Sequence, residues 1–295
     1  MQTYARGAGS RVFDACNYVL LLVAGFLFFY PFWSLVLTSF SNSMEIQHVG
    51  LKFWNATWTI EPYRWVFEAQ SVSIGRAYYN SVFRTVLGTG AILVVTFLTA
   101  YPLAKVRLPG RTPIMLYFVT TLFFSGGLIP TYLLIRRLGL IDTRLVYILP
   151  EALSVWYVII ARNFLMAIDD EMEEAALVDG AGYVTILTRI IMPLAKPIVA
   201  TIALWASVMH WNAWFDALIY IRDGNKRVLQ LLLHKMMNLL RNFEEFEELN
   251  IPMEITLPPA SVQAVTVLVT IGPIILVYPF FQRYFVKGIM IGALK

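Results

Sequence analysis

Asp169-Asp170-Glu171-Met172-Glu173-Glu174-Ala175-Ala176-Leu177-Val178-Asp179-Gly180-Ala181-Gly182 begins acidic, turns small and apolar, and ends on glycines. Asp170 and Glu173 have the spacing of a capping box, and the acids crowd the first turn, where the helix dipole favours them. Gly180 suits the left-handed position just past a helix end. A second helical run follows at Tyr183–Ile191, and Pro193 and Pro197 predict a rigid elbow beyond it. The expected unit is a short helix–turn–helix. Ala175 and Ala176 leave one face nearly bare for close approach, while Glu173, Glu174 and Asp179 offer carboxylates to a basic partner. An amphipathic surface helix with an ordinary acidic start carries the same marks.

The surroundings of this stretch are strongly apolar. Of 295 residues, 58% are hydrophobic and 14% charged, with a mean hydropathy of +0.65. Soluble domains carry roughly 25% charged residues, so this composition belongs in a bilayer. It also excludes disorder, collagen and a disulfide scaffold. A net charge of +4, from 23 basic and 19 acidic residues, is too mild to argue for nucleic acid. The single cysteine, Cys16, cannot form an internal bridge. It follows Phe13, Asp14 and Ala15 rather than an apolar core, which argues against a lipoprotein site.

A bilayer-spanning helix needs about 20 mostly apolar residues, because its backbone must satisfy its own polar groups. Stretches between consecutive charges predict an all-α, polytopic membrane protein with six transmembrane helices. The spans are expected near 15–40, 85–104, 112–135, 145–161, 197–221 and 260–282. The first is longer than the roughly 7–15-residue core of a signal peptide and has no small-x-small cleavage site, so it is expected to remain as a span. Residues 41–78 and 222–259 form outer loops and 163–196 an inner one, within a single membrane domain over 1–295. Lys and Arg divide evenly between the two faces. The tight turn with Lys105, Arg107 and Arg111, together with both tails, favours cytoplasmic termini; Arg136 and Arg137 oppose it.

Three segments carry a family resemblance. Glu174-Ala175-Ala176, then Gly180, Ile190 and Met192-Pro193 resemble the EAA signature of ATP-binding-cassette (ABC) importer permeases. Asp179-Gly180-Ala181 and Pro197 extend the match. Met192 stands where that family usually has Leu, a volume-conserving change. Trp211-Asn212-Ala213-Trp214 is similar to a stretch of carbohydrate-uptake permeases, and 278–295 resembles the end of their smaller, MalG-type subunit. The run Phe285–Gly292 is similar to permeases serving plant or algal polysaccharide fragments, including acidic ones such as alginate oligosaccharides.

That resemblance implies a MetI-like, type I ABC importer architecture in the bacterial inner membrane, moving an oligosaccharide. It implies as partners a second homologous permease forming a heterodimer, two ATPase subunits, and a solute-binding protein outside. ATP and Mg would be bound by the ATPases, and this chain is expected to hold no cofactor and to be no enzyme. It has no Gly-x-x-x-x-Gly-Lys-Ser/Thr segment. His48, His210 and His234 are too scattered to suggest a metal site. By resemblance, the docking residues are Glu173, Glu174, Ala175, Ala176, Asp179, Gly180, Ala181, Ile190 and Pro193. Glu174 is the first choice for an ion pair with the ATPase.

Polar groups inside spans tend to face the bundle interior or a water-filled path. Glu151, His210, Trp211, Asn212, Trp214, Asp216 and Tyr220 are therefore candidates for the substrate path. Trp211 and Trp214 fit an interfacial aromatic belt equally well, with Asp216 at a helix end. Glu151 adjoins Pro150, so a broken helix would place it in water. Arg84, at the start of the second span, is expected to snorkel. Val228–Leu240 is apolar at helical spacing and is followed by Glu244, Glu245, Glu247 and Glu248. The family implies contact with the binding protein there; a packed surface helix with solvated acids is the alternative. An ABC permease for a non-sugar solute and a stand-alone secondary transporter are the rival functions. The second leaves the 170–197 pattern without a reason.

Overall fold

The computed structural model describes residues 8–41, 52–55, 57–68, 74–248 and 260–272. All regular structure among them is helical. In chain order the helices are α1 (Ala8–Ser39), α2 (Glu61–Glu68), α3 (Ile74–Ala104), α4 (Arg111–Phe123), α5 (Leu128–Arg137) and α6 (Val155–Leu165). After them come α7 (Glu171–Val178), α8 (Tyr183–Leu194), α9 (Lys196–Asn212), α10 (Phe215–Tyr220), α11 (Leu229–Glu248) and α12 (Ala260–Gly272). The motif at 278–295, the second half of the sixth expected span and parts of both outer loops lie outside the described residues.

Among the described residues, two helical segments are long and apolar enough to cross a bilayer unaided, Val12–Ser39 and Ile74–Ala104. Two bent pairs raise the number among those residues to as many as four. The other apolar helices, Val155–Leu165 and Ala260–Gly272, are shorter. The second span begins eleven residues before the expected boundary, because Arg84 lies within the helix rather than at its end.

The third, fourth and fifth expected spans are broken. α4 and α5 meet at 115°. Their junction is Phe124-Ser125-Gly126-Gly127, where Gly127 adopts φ +81 and its N–H donates to the Ser125 hydroxyl at 3.2 Å. A left-handed residue ends a helix, and glycine takes that conformation without a Cβ penalty. The fourth segment is a 3₁₀ turn at Arg144–Tyr147, then non-helical chain past Pro150, then α6. The fifth stops at Asn212 and restarts at Phe215. The elbow between α8 and α9 turns 85° beside Pro193 and Pro197, as their positions predict.

The described residues sort into two compact units. In the unit of Met1–Gln70 with Met236–Thr270, none of the most apolar window of α1 is buried. Its C-terminal end is closed by polar groups. Buried Asn55 donates to the Leu37 carbonyl at 2.7 Å, and the Ser261 hydroxyl donates to the Ser41 carbonyl at 3.1 Å.

The unit containing Ser71–Lys235 is built around α3, with α6 and α9 packed along it. Ile92, Phe97, Ala100 and Leu103 of α3 meet Val158 and Ala161 of α6, and Ile198, Ile202 and Ala206 of α9. Ile186, Leu187 and Ile191 of α8 join the same core, with Ala176, Leu177 and Ala181 at its edge. Small residues on α6 and α9 allow close helix approach, which drives packing in lipid. A second core collects Ile135, Val146, Tyr147, Ala217, Tyr220, Ile221, Val228 and Leu231 around α10.

Candidate functional site

α7 ends as the glycine predicts. Gly180 has φ +82; its N–H bonds the Leu177 carbonyl at 3.0 Å, and the Ala181 N–H bonds the Ala176 carbonyl at 2.9 Å. That pair of bonds is a Schellman closure. The start of the helix differs from expectation. Asp170 is already helical (φ −73, ψ −17) and makes no side-chain cap; Asp169 Oδ1 instead accepts from the Glu171 N–H at 3.2 Å. The would-be capping acids have gone to a cation. Lys105 Nζ, one residue beyond α3, pairs with Asp170 at 2.9 Å and with Glu173. Pairing with Lys105 neutralises both carboxylates at once, including the buried one of Glu173, which a backbone cap would leave charged.

Burial opposes the charge of Lys105, but its hydrogen bonds to Glu173 and Asp170 outweigh that and hold the ammonium above its ordinary value. The same hydrogen bond holds the Asp170 carboxyl below the usual carboxylate range. Glu173 is buried, turned toward the protein with Ala176 and Leu177. Met172, Glu174, Ala175, Val178 and Asp179 are exposed on the other side, with Val178 the most open of the apolar ones at 88%. The bare face is therefore Ala175 alone, since Ala176 packs inward. Glu174 is paired within the chain to Arg107 at 2.8 Å, a pair that remains largely in solvent. Ile190 is half-buried and Pro193 exposed at the elbow.

The second cluster lies where the fifth span breaks. Arg84 is not at the membrane surface: it is 2% exposed. Its Nη1 and Nη2 fork onto Asp216 Oδ1 and Oδ2 at 3.0 and 2.6 Å, and Nη1 also donates to the Ala213 carbonyl at 2.9 Å. The guanidinium sits 4.9 Å from the ring centre of buried Tyr147. The snorkelling expectation fails because a carboxylate 132 residues away and a freed carbonyl solvate the guanidinium inside the protein.

His210 completes the cluster, with Nδ1 3.5 Å from Arg84 Nε. Its ring abuts α3 at Gly88, where an added Cβ would come closer than 3.0 Å to three imidazole atoms. Arg84 and Gly88 are four apart and share one face of α3. Thus His210 and Asp216 come together, around an arginine assigned another role from sequence and around Tyr147 and Gly88, which sequence reasoning missed.

The remaining path candidates are dispersed. Trp211 is buried, 6.4 Å from the ring of Tyr78. Trp214 stacks on His234 with centroids 3.7 Å apart, and Tyr220 stacks on Tyr132 at 6.0 Å. Asn212 is exposed and accepts from Gln230 at 3.4 Å. Glu151 is exposed in the break after Pro150, as a broken helix requires.

Long apolar helices and three interrupted apolar segments mark a polytopic membrane protein, with an acidic helix at the edge of its core. No family model matches the chain. It is 37% identical over 286 residues to protein LplC of Bacillus subtilis strain 168, covering 97% of this chain and 95% of that protein. It is 34% identical over 290 residues to the polygalacturonan/rhamnogalacturonan transport system permease protein YtcP of the same strain, covering 97% and 99%. A chain from the crystal structure of a bacterial ABC transporter involved in import of the acidic polysaccharide alginate superposes with a TM-score of 0.81. The two are 30% identical, over 97% of this chain and all of that one. The protein belongs to the permease subunits of ABC transporters.

Proposed function

We propose that this chain is the MalG-type permease subunit of a binding-protein-dependent importer in the bacterial inner membrane, with both termini cytoplasmic and six spans. Its cargo is an oligosaccharide from an acidic polysaccharide, a class that the names of its relatives favour. A second permease completes the pathway, and a binding protein delivers solute from outside. Two ATPase subunits supply ATP hydrolysis with Mg, and α7 docks on one of them. The chain performs no chemistry of its own.

The observation that carries this reading is α7 itself. It is an acidic helix whose inner face is locked to the end of α3 while Met172, Ala175, Val178 and Asp179 stand in solvent. ATP-driven closure of the ATPase pair acts on that exposed face, and the packed face passes the displacement to the helices behind it. Such a device works only if docking favours one packing of the spans over another. Glu174 exchanges its solvent-exposed partner Arg107 for a cation of the ATPase, and Gly180 holds the turn. At the other end, exposed Asn212 and Glu151 offer hydrogen-bonding groups to sugar; Trp211, Trp214 and Tyr220 reach it only once the packing that covers their rings opens.

Affinity purification of a tagged copy from its native membrane tests this reading. An ATPase and a second permease are expected to co-purify, and loaded binding protein to stimulate ATP hydrolysis. Oligosaccharide uptake persisting without any ATPase would overturn it in favour of a stand-alone transporter.

A further inference from the structure

We infer that Lys105 is a positioning residue for transport: it transmits movement of α7 through α3 to the break in the fifth span. This rests on the reading that α7 docks on an ATPase, and it specifies the route inside this chain.

α7 is joined to its unit by the chain on both sides, by packing of Ala176 and Leu177 at the edge of the core, and by ion pairs. The covalent link after it runs through left-handed Gly180, into α8 with its π-helical turn at Leu187–Ile191, and round the 85° elbow into α9. This route changes direction at the Gly180 turn and again at the 85° elbow, so it does not run straight from α7 to the break in the fifth span. The electrostatic link is short. Lys105 Nζ is held by Asp170 and Glu173 together, and Glu173 is 6% exposed. A buried carboxylate cannot leave its cation without being stranded, so α7 and the end of α3 move as one. The neighbouring pair of Arg107 with Glu174 has side chains 81% and 56% exposed. A pair so open to solvent adds little and transmits little.

From Lys105 the route is stiff. The Lys105 N–H bonds the Pro102 carbonyl at 3.1 Å, continuing the last turn of α3. Arg162 at the end of α6 donates to the Leu103 carbonyl at 2.9 Å, bracing the same point. α3 is then one uninterrupted 31-residue helix. Some thirty ångströms back along it (about 1.5 Å per residue) lies Arg84, which grips both Asp216 of α10 and the Ala213 carbonyl at the break. A rod joined by ion pairs at both ends thus connects the docking helix to the break between Asn212 and Phe215.

The test uses the full complex in proteoliposomes, with native Cys16 replaced by Ser and a reporter cysteine at exposed Leu218 of α10. The labelling rate of Leu218→Cys is compared between the nucleotide-free and the ATP–vanadate-trapped states, so no substrate is needed. With Lys105 intact the rate changes on trapping. Lys105→Met should shrink that change about ten-fold while the ATPase still co-purifies and hydrolyses ATP. Lys105→Arg should retain it, and Arg107→Met should leave it unaltered. If Lys105→Met does not assemble, the exchanged pair Lys105→Glu with Glu173→Lys decides, and it is expected to restore the response. An unchanged response in Lys105→Met, or none in an assembled exchanged pair, overturns the inference alone. Absence of any ATPase or of any response with Lys105 intact instead overturns the docking reading beneath it.

Discussion

Arg84 of α3 holds both carboxylate oxygens of Asp216 at 3.0 and 2.6 Å, spanning a break in the fifth span with a two-pronged ion pair. Charges within apolar segments are costly and persist where they are paired. Here the pair also caps a discontinuity: α10 restarts just beyond the Ala213 carbonyl, to which Arg84 donates a third hydrogen bond.

Asp216→Ala leaves a buried guanidinium with one carbonyl and an imidazole. Breaking one side of a buried pair costs about 3–5 kcal/mol. The lower end applies because the Asp216 side chain is 21% exposed. The melting temperature of the purified complex should fall, and Arg84→Met with Asp216→Leu should recover part of the loss. An unaltered melting temperature in Asp216→Ala would show the pair to be incidental.

Gly88→Ala drives a methyl group into the His210 ring, and both groups sit on packed helices. Overpacking of this kind costs about 1–3 kcal/mol. The variant should insert poorly or melt early, and His210→Ala in the same chain should relieve it. If relief does not come, the two residues do not meet as described.

Gly180→Val forces a β-branched residue to φ +82 at the end of α7. The left-handed penalty is roughly 1–2 kcal/mol for an ordinary residue and more for a branched one. Because the strain falls on an exposed turn, membrane levels should hold while uptake drops. Uptake normalised to immunoblot signal checks this.

The clasp on α7 has a defined pH range. Asp170 titrates below its ordinary 3.8 because Lys105 donates to it, so its contribution is present above that value and is lost as pH falls through the lowered one. Lys105 is raised above 10.5 by Glu173 and Asp170 in spite of burial, so its contribution is present below 10.5 and is lost as pH rises through the raised value. Amide exchange protection of α7, corrected for intrinsic rates, should therefore be flat between about pH 5 and 9. A step near neutral pH would assign the clasp to other groups.

Much of the inner loop was legible in the sequence because its signals are local. Gly180 and the elbow prolines each follow from a few adjacent residues, as does the break at Pro150 in the fourth span. The acids of α7 misled in one respect: their spacing fits a capping box, yet Lys105, 65 residues away, takes Asp170 instead. Dividing the chain at its charges likewise placed Arg84 at a span end. Only its partner on α10, distant in sequence, makes a mid-helix arginine affordable. The breaks at Gly127 and Ala213 are hidden by hydropathy, which registers apolar length and is blind to backbone direction.

The most direct measurement is cross-linking from Ala175→Cys in the Cys16→Ser background, on inside-out vesicles of cells producing the whole transporter. The account predicts an adduct between this chain and the ATPase subunit, with a yield that changes between nucleotide-free and ATP–vanadate-trapped states. Labelling of that cysteine by a membrane-impermeant reagent from outside intact cells, or no adduct in either state, would contradict it.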